Sequence, residues 1–258
     1  MKYAIITGAS SGIGLELARI MAEEGHHLIL TARNVLALED LAKELRNTHK
    51  VDIQVIPCDL SEPQSAFSFH KEINNRNLSI NCLVNNAGFG LLGEFKDMEA
   101  DMLHRMIELN CNSLMVLSRL FADDLIASKG RILNIASVAA FYSGPLMAVY
   151  YATKAFVVSF SEALNFELRP HGVSVTAHCP GPTRSNFQIR SGMHSTTLFK
   201  LFPVPNSDIV AKHAYRAMMN RKSLAIHGLF NRFMLAFGSL SPRSLKVRMV
   251  HAFQSSKS

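Results

Sequence analysis

The chain predicts an α/β protein in which a doubly wound parallel sheet of about seven strands carries helices on both faces. Three observations lead there. Short apolar runs recur along the chain, and each ends in a small polar or glycine-containing turn. The first such turn is glycine-rich and opens a stretch with helical periodicity. With 258 residues, 48% of them apolar and 18% charged, the chain can bury both faces of such a sheet within one domain, expected over 1–258.

Residues 3–7 (YAIIT) are an apolar β-type run, residues 8–14 (GASSGIG) a tight turn, and residues 15–24 a helix. Gly8, Gly12 and Gly14 permit positive φ and let a ligand approach the backbone, while free N–H groups at a helix start receive phosphate. Strand, glycine turn and helix in this order favour dinucleotide binding, with Ser10, Ser11 and Ile13 in the same loop. The spacing is G-x-x-x-G-x-G rather than G-x-G-x-x-G.

The second run, 27–32 (HLILTA), selects among dinucleotides. A carboxylate at its end would grip a ribose 2′-hydroxyl, but Thr31, Ala32 and Arg33 offer a guanidinium instead. Arg33, helped by Ser10 or Ser11, can pair with a 2′-phosphate, so NADP(H) is expected over NAD. The third run, 51–57, ends at Cys58, Asp59 and Leu60. Asp59 and Leu60 can flank the adenine, with a helix N-cap as the competing role for Asp59. The fourth run, 80–84, ends at Asn85, Asn86, Ala87 and Gly88, the last three passing beneath the cofactor or tying strands together.

The fifth run, 131–136 (RILNIA), stops at Ser137, and after a loop containing Gly144 and Pro145 come Tyr150 and Lys154. At i,i+4 spacing the two share a helix face, which predicts that the ammonium pulls the Tyr pKa from about 10 toward neutrality. Ser137 would hold a carbonyl oxygen beside that phenol. This is equipment for reducing a ketone. The helix over 150–168 is apolar on more than one face and is expected to be buried on both sides, by the chain's own core or by a second subunit. Residues 172–178 (GVSVTAH) and 223–227 (SLAIH) read as the sixth and seventh strands.

TGASSGIG (7–14), NNAG (85–88), Asn110, Ser137, YYATK (150–154) and PGPT (180–183) follow one another in the order of the short-chain dehydrogenase/reductase family, which the chain resembles over most of its length. The resemblance implies a Rossmann-like fold and a catalytic set of Asn110, Ser137, Tyr150 and Lys154. In that set Tyr150 supplies a proton to the developing alkoxide, Ser137 bonds the same oxygen, and Lys154 holds the nicotinamide ribose. Asn110, in a helix expected over about 98–126, would hold a water between Lys154 and solvent. Pro180, Gly181 and Thr183 would flank the nicotinamide. The four-residue step to Lys154 and the family pattern select Tyr150 over Tyr151. The resemblance also implies a homo-oligomer, dimer or tetramer.

Substrate choice is expected in the region 184–207, where Met193, Leu198, Phe199, Leu201 and Phe202 occur without clear periodicity. Phe89, Leu91, Leu92, Phe141 and Tyr142 can extend that lining or close the core. The expected activity is NADPH-dependent reduction of a lipophilic ketone, such as a 3-oxoacyl thioester or another fatty or steroid-like carbonyl compound. The alternatives are a secondary-alcohol dehydrogenase acting on a small substrate and an NADP(H)-sensing protein without turnover. The combination of Ser137, Tyr150 and Lys154 favours catalysis over sensing.

Cys58, Cys82, Cys111 and Cys179 lack C-x-x-C spacing and lie in or beside apolar runs, so free thiols are expected rather than disulfides or zinc, and no metal site is foreseen. With no run of membrane-span length, a cytosolic location is expected. The tail differs in charge. Nine of the 27 basic residues and none of the 20 acidic ones follow Asp208, leaving 18 basic against 20 acidic residues in the rest. Residues 229–237 and 242–253 read as basic amphipathic helices of a tail over about 228–258. They can cover the pocket or a subunit interface, rest peripherally on an anionic membrane, or accept an acidic carrier protein. No nucleic-acid motif accompanies the charge.

Overall fold

The computed structural model describes residues 1–184, 187, 191–192, 204–240 and 242–255. Among them β1 (Lys2–Thr7), β2 (His27–Thr31), β3 (Ile53–Val55), β4 (Ser79–Asn85), β5 (Arg131–Ile135), β6 (Ser174–Cys179) and β7 (Leu224–Ile226) make one sheet in the order 3-2-1-4-5-6-7. Every pairing is parallel. Strands covered on both faces need continuous rather than alternating apolar runs, and Tyr3, Ala4, Ile5 and Ile6 are all buried.

One face is covered by α1 (Gly12–Glu23), α2 (Val35–Thr48) and α8 (Ser207–Met219), which bring Leu17, Met21, Leu38, Leu45, Ala214 and Met218 into a single cluster. The other face is covered by α3 (Ser65–Asn75), α5 (Leu114–Leu120), α6 (Ala122–Ser128) and α7 (Ala148–Leu168), through Phe69, Ile73, Leu117, Leu125 and Leu164. Because β1 pairs with β2 on one side and β4 on the other, the winding reverses there. A ligand crevice therefore opens beyond the carboxyl ends of β1 and β4.

One expectation changes. The helix expected over 98–126 is divided into α4 (Ala100–Ile107), a π-helical turn at Glu108–Ser113, α5 and α6. The wider turn buries Asn110, Cys111 and Ser113 together, and Ser113 Oγ donates to the Leu60 carbonyl at 2.6 Å. In α7 the buried stripe is Tyr150, Thr153, Lys154, Val157, Val158 and Ser161, whereas Phe156 and Phe166 are exposed. The sheet covers one side of this helix, and the chain itself leaves its other aromatic side open.

The tail forms α9 (Leu229–Leu240) and α10 (Arg243–Gln254). Among the described residues no helix is long and apolar enough to cross a membrane. Cys58, Cys82, Cys111 and Cys179 are free thiols.

Candidate active site

The loop after β1 is built as a cradle. Gly8 and Gly12 have φ of 67° and 60°, in the region that a side chain disfavours. Thr7 Oγ1 accepts the amide N–H groups of Asn86 and Ala87, each at 3.0 Å, and donates to the Val84 carbonyl at 3.3 Å. Asn86 returns the tie by donating Nδ2 to the carbonyls of Thr7 and Gly8 at 2.9 and 3.2 Å. The ends of β1 and β4 are thus locked beneath the start of α1. Ser11 caps that helix without a side-chain hydrogen bond, so the first-turn N–H groups keep their capacity for an anion.

Above the cradle lies a cleft of about 580 Å³. Gly8, Ser10, Ser11, Gly12 and Ile13 form its floor, with Asn86, Ala87 and Gly88 beside them. Arg33, Asp59 and Leu60 line one end, and Ser137, Tyr150, Lys154, Pro180, Gly181 and Thr183 the other. Arg33 is 61% exposed and stands 3.9 Å from Asp59. Asp59 accepts from the Ser61 amide and hydroxyl at 3.0 and 2.6 Å and pairs with Arg105 at 3.1 Å. Burial pushes its carboxyl up, but the Ser61 bonds together with Arg33 and Arg105 outweigh this and hold it below the ordinary carboxylate range.

At the other end Ser137 leaves β5 and caps a short 3₁₀ turn, its Oγ accepting from the Ala139 amide at 3.1 Å. The same hydroxyl donates to the Pro180 carbonyl at 3.5 Å and lies near enough to Tyr150 to draw its phenol down. Lys154 lies over the Tyr150 ring, 5.8 Å from its centre, and donates Nζ to the Ile135 carbonyl at 2.8 Å. The expected lowering of the tyrosine is not what this site produces. Burial pushes the Tyr150 phenol up to about 12, with Ser137 pulling against it, and holds the Lys154 amine down at about 8. Both groups sit where desolvation outweighs the Coulomb gain expected from spacing alone.

Two residues expected at the site are placed outside the cleft lining. Gly14 lies behind the cradle, where an added Cβ would stand 2.4 Å from the Gly8 carbonyl oxygen; it permits close packing rather than ligand contact. Asn110 donates to the Phe89 carbonyl at 2.9 Å and to Thr153 Oγ1 at 3.1 Å, and accepts from the Phe89 amide at 3.1 Å. Its side chain is therefore committed to protein partners and fixes the segment after Gly88 against α7. Phe89, Leu91 and Leu92 pack around Met147 and Tyr150. Phe187, from the expected substrate region, reaches the Tyr150 ring at 5.5 Å between centroids. Met193, Leu198, Phe199, Leu201 and Phe202 lie outside the described residues.

Three contacts bring the tail to this end of the cleft. Tyr142 donates its hydroxyl to the Met234 carbonyl at 3.1 Å, and Gln254, buried in α10, donates to Tyr151 Oη at 2.6 Å. Asn231 packs so closely on Gly181 that a Cβ there would stand 2.5 Å from its Nδ2. Sequence reasoning assigned no role to Thr7 or Gln254. Thr7 could have been read from its place at the strand end before the first glycine, whereas Gln254 has no local signal.

Comparison with known proteins adds to this geometry. The family profile described as short chain dehydrogenase matches residues 2–194. A very-long-chain 3-oxoacyl-CoA reductase from Vanderwaltozyma polyspora is 33% identical over 185 residues, covering 67% of this chain and 53% of that reductase. The chain thus matches about half the length of that relative. A short-chain dehydrogenase from Sphingobium yanoikuyae in complex with NADPH superposes with a TM-score of 0.83 and 33% identity, over 93% of each chain. The bulky-bulky ketone specific alcohol dehydrogenase from Comamonas testosteroni gives 0.78 and 32%, over 98% of this chain and 97% of that one.

Proposed function

The chain belongs to the short-chain dehydrogenase family, and from that premise we propose that it is an NADPH-dependent reductase of lipophilic ketones. One observation carries the reading: Tyr150 stands with Ser137 and Lys154 at the apolar end of a cleft whose lining also presents Arg33. The Tyr150 phenol, pushed up to about 12 by burial, is protonated at neutral pH and so holds a proton for the developing alkoxide, although burial makes it a weaker acid than a free tyrosine. That is the state reduction requires.

The cleft fits the cofactor, because the cradle at Gly8 and Gly12 and the uncapped start of α1 suit a pyrophosphate. Arg33 would pair with the 2′-phosphate, Asp59 and Leu60 would flank the adenine, and Pro180, Gly181 and Thr183 the nicotinamide. Lys154 would hold the nicotinamide ribose. When bound, NADPH supplies the hydride taken up by the carbonyl carbon. Ser137 hydrogen-bonds the carbonyl oxygen and Tyr150 gives that oxygen its proton. Asn110 acts at one remove, as a positioning residue through Phe89 and Thr153, and a water there would meet its backbone rather than its side chain.

Support for NADPH comes from Arg33 and from the Sphingobium yanoikuyae neighbour, which holds NADPH. Support for an apolar substrate comes from the Phe89, Leu92, Met106, Met147 and Phe187 surroundings of Tyr150, and from a relative named for very-long-chain 3-oxoacyl-CoA. The exposed Phe156 and Phe166 on α7, with Ile107 and Met115 also exposed, supply an apolar surface for a homo-oligomer.

The test is consumption of NADPH against NADH with carbonyl compounds ordered by chain length, including 3-oxoacyl thioesters and bulky cyclic ketones. Turnover that needs NADPH and rises with chain length is expected. Turnover confined to small polar carbonyls would remove the lipophilic part, and cofactor binding without turnover on any ketone would replace catalysis with sensing.

A further inference from the structure

We propose that α9 and α10 form a docking surface for anionic lipid, laid beside the apolar end of the cleft. The two helices repeat one exposed pattern. In α9 it is Leu229, Arg232, Phe233 and Ala236, and in α10 it is Leu245, Arg248, Met249 and Ala252. Both sets fall at i, i+3, i+4 and i+7, so each helix turns one stripe of apolar residues with a central arginine toward solvent. Leu229 is 81%, Phe233 59% and Leu245 49% exposed.

Charge defines the partner. No carboxylate side chain follows Asp208, and Arg243, Lys246 and Arg248 make no ion pair with a described carboxylate. Arg232 donates Nε to the Ile226 carbonyl at 3.0 Å and makes no ion pair with a described carboxylate. A two-fold pairing of this face with itself would press like charges together. A purely electrostatic partner has no use for large apolar side chains this exposed. An anionic lipid surface uses both, with phosphate headgroups at the arginines and the acyl boundary at the leucines and phenylalanine. Among the described residues no helix is long and apolar enough to cross a bilayer, and the proposed contact is peripheral. The Tyr142–Met234, Asn231–Gly181 and Gln254–Tyr151 contacts place this surface against the apolar end of the cleft, where a lipid-borne ligand would enter.

The experiment is sedimentation of the NADPH-bound protein with vesicles of phosphatidylcholine alone and with vesicles carrying phosphatidylglycerol, at low and high salt. The protein is expected to pellet with the charged vesicles, less so at high salt. Arg243→Gln with Arg248→Gln should weaken that binding roughly thirty-fold, from about a five-fold contribution per basic residue. Leu229→Ser with Met249→Ser should also release the protein. Both double variants should keep turnover on a water-soluble ketone, which separates this surface from the chemistry of the cleft. Equal or absent binding to both vesicle types overturns the proposal. So does self-association abolished by the same substitutions, or binding to an acidic acyl carrier protein in place of vesicles.

Discussion

The Lys154 ammonium stands over the Tyr150 ring, 5.8 Å from its centre, and each group is pushed by burial toward its neutral form. At neutral pH the Lys154 charge is therefore a stability burden, while Tyr150 is neutral in both states. Below about pH 8 Lys154 is charged in both folded and unfolded chains, and the folded state bears the full desolvation cost. Between about 8 and 10.5 the unfolded chain binds more protons, so stability rises with pH. Lys154→Met should be more stable near neutrality by about 3 kcal/mol, with the advantage shrinking as pH approaches 10.5, and should lose turnover. Urea midpoints at several pH values measure this. A pH-independent advantage would mean packing rather than charge.

Tyr150→Phe removes the proposed proton donor and should lower turnover by about 10²–10⁴-fold with NADPH affinity largely kept. Tyr151→Phe removes only the acceptor of the Gln254 bond and should leave most turnover. Cofactor titration and steady-state rates on both variants decide between the two tyrosines.

Arg33→Ala should weaken NADPH about 10- to 100-fold, the size of a lost charge-assisted hydrogen bond, and leave NADH nearly unchanged. Equal losses for the two cofactors, measured by fluorescence titration, would assign Arg33 to its ion pair with Asp59 instead.

Thr7→Val leaves the Asn86 and Ala87 amides without their acceptor. A cost of about 1–3 kcal/mol is expected, together with a raised KM for cofactor and a smaller change in kcat. Thr7→Ser should restore both, since only the hydroxyl is needed.

His178 is fully buried, with Nε2 2.9 Å from His213 Nδ1 and its ring beside His227. Burial, reinforced by these two histidines, holds it down at about 3, against 6.5 in the unfolded chain. As pH falls below 6.5 the unfolded chain takes a proton that the folded chain refuses, so stability is lost toward pH 3. Near pH 5 the loss should be about 2 kcal/mol, and His178→Gln should flatten that limb of the urea midpoint against pH. His213 and His227, also lowered by burial and facing Arg232, would supply any slope that remains.

Much of this was legible because parallel strands are apolar on both faces. Residues 3–7, 27–32 and 80–84 announce β1, β2 and β4 within a residue or two. Gly8 and Gly12 announce the turn because positive φ leaves few alternatives. The helix α8 was missed because its buried face is built largely from Ala211, Ala214, Ala217 and Met218 among basic residues, a weak hydrophobic signal. The π-turn at Asn110 gives no periodic cue, since one local widening resets the phase. The Tyr150 shift was misread because i,i+4 spacing reports proximity to Lys154 and says nothing of burial. Gln254 reaches Tyr151 across 103 residues, a distance that only tertiary structure closes.

The tie between Thr7 and Asn86 spans 79 residues, and β1 has β4 as one of its two neighbours. During synthesis the glycine loop leaves the ribosome before β4, and its underside is absent until the end of β4 has followed. β1 must wait as an apolar strand with one side unpaired, the condition in which nascent chains recruit chaperones or aggregate. The glycine loop is thus made well before the segment that completes it.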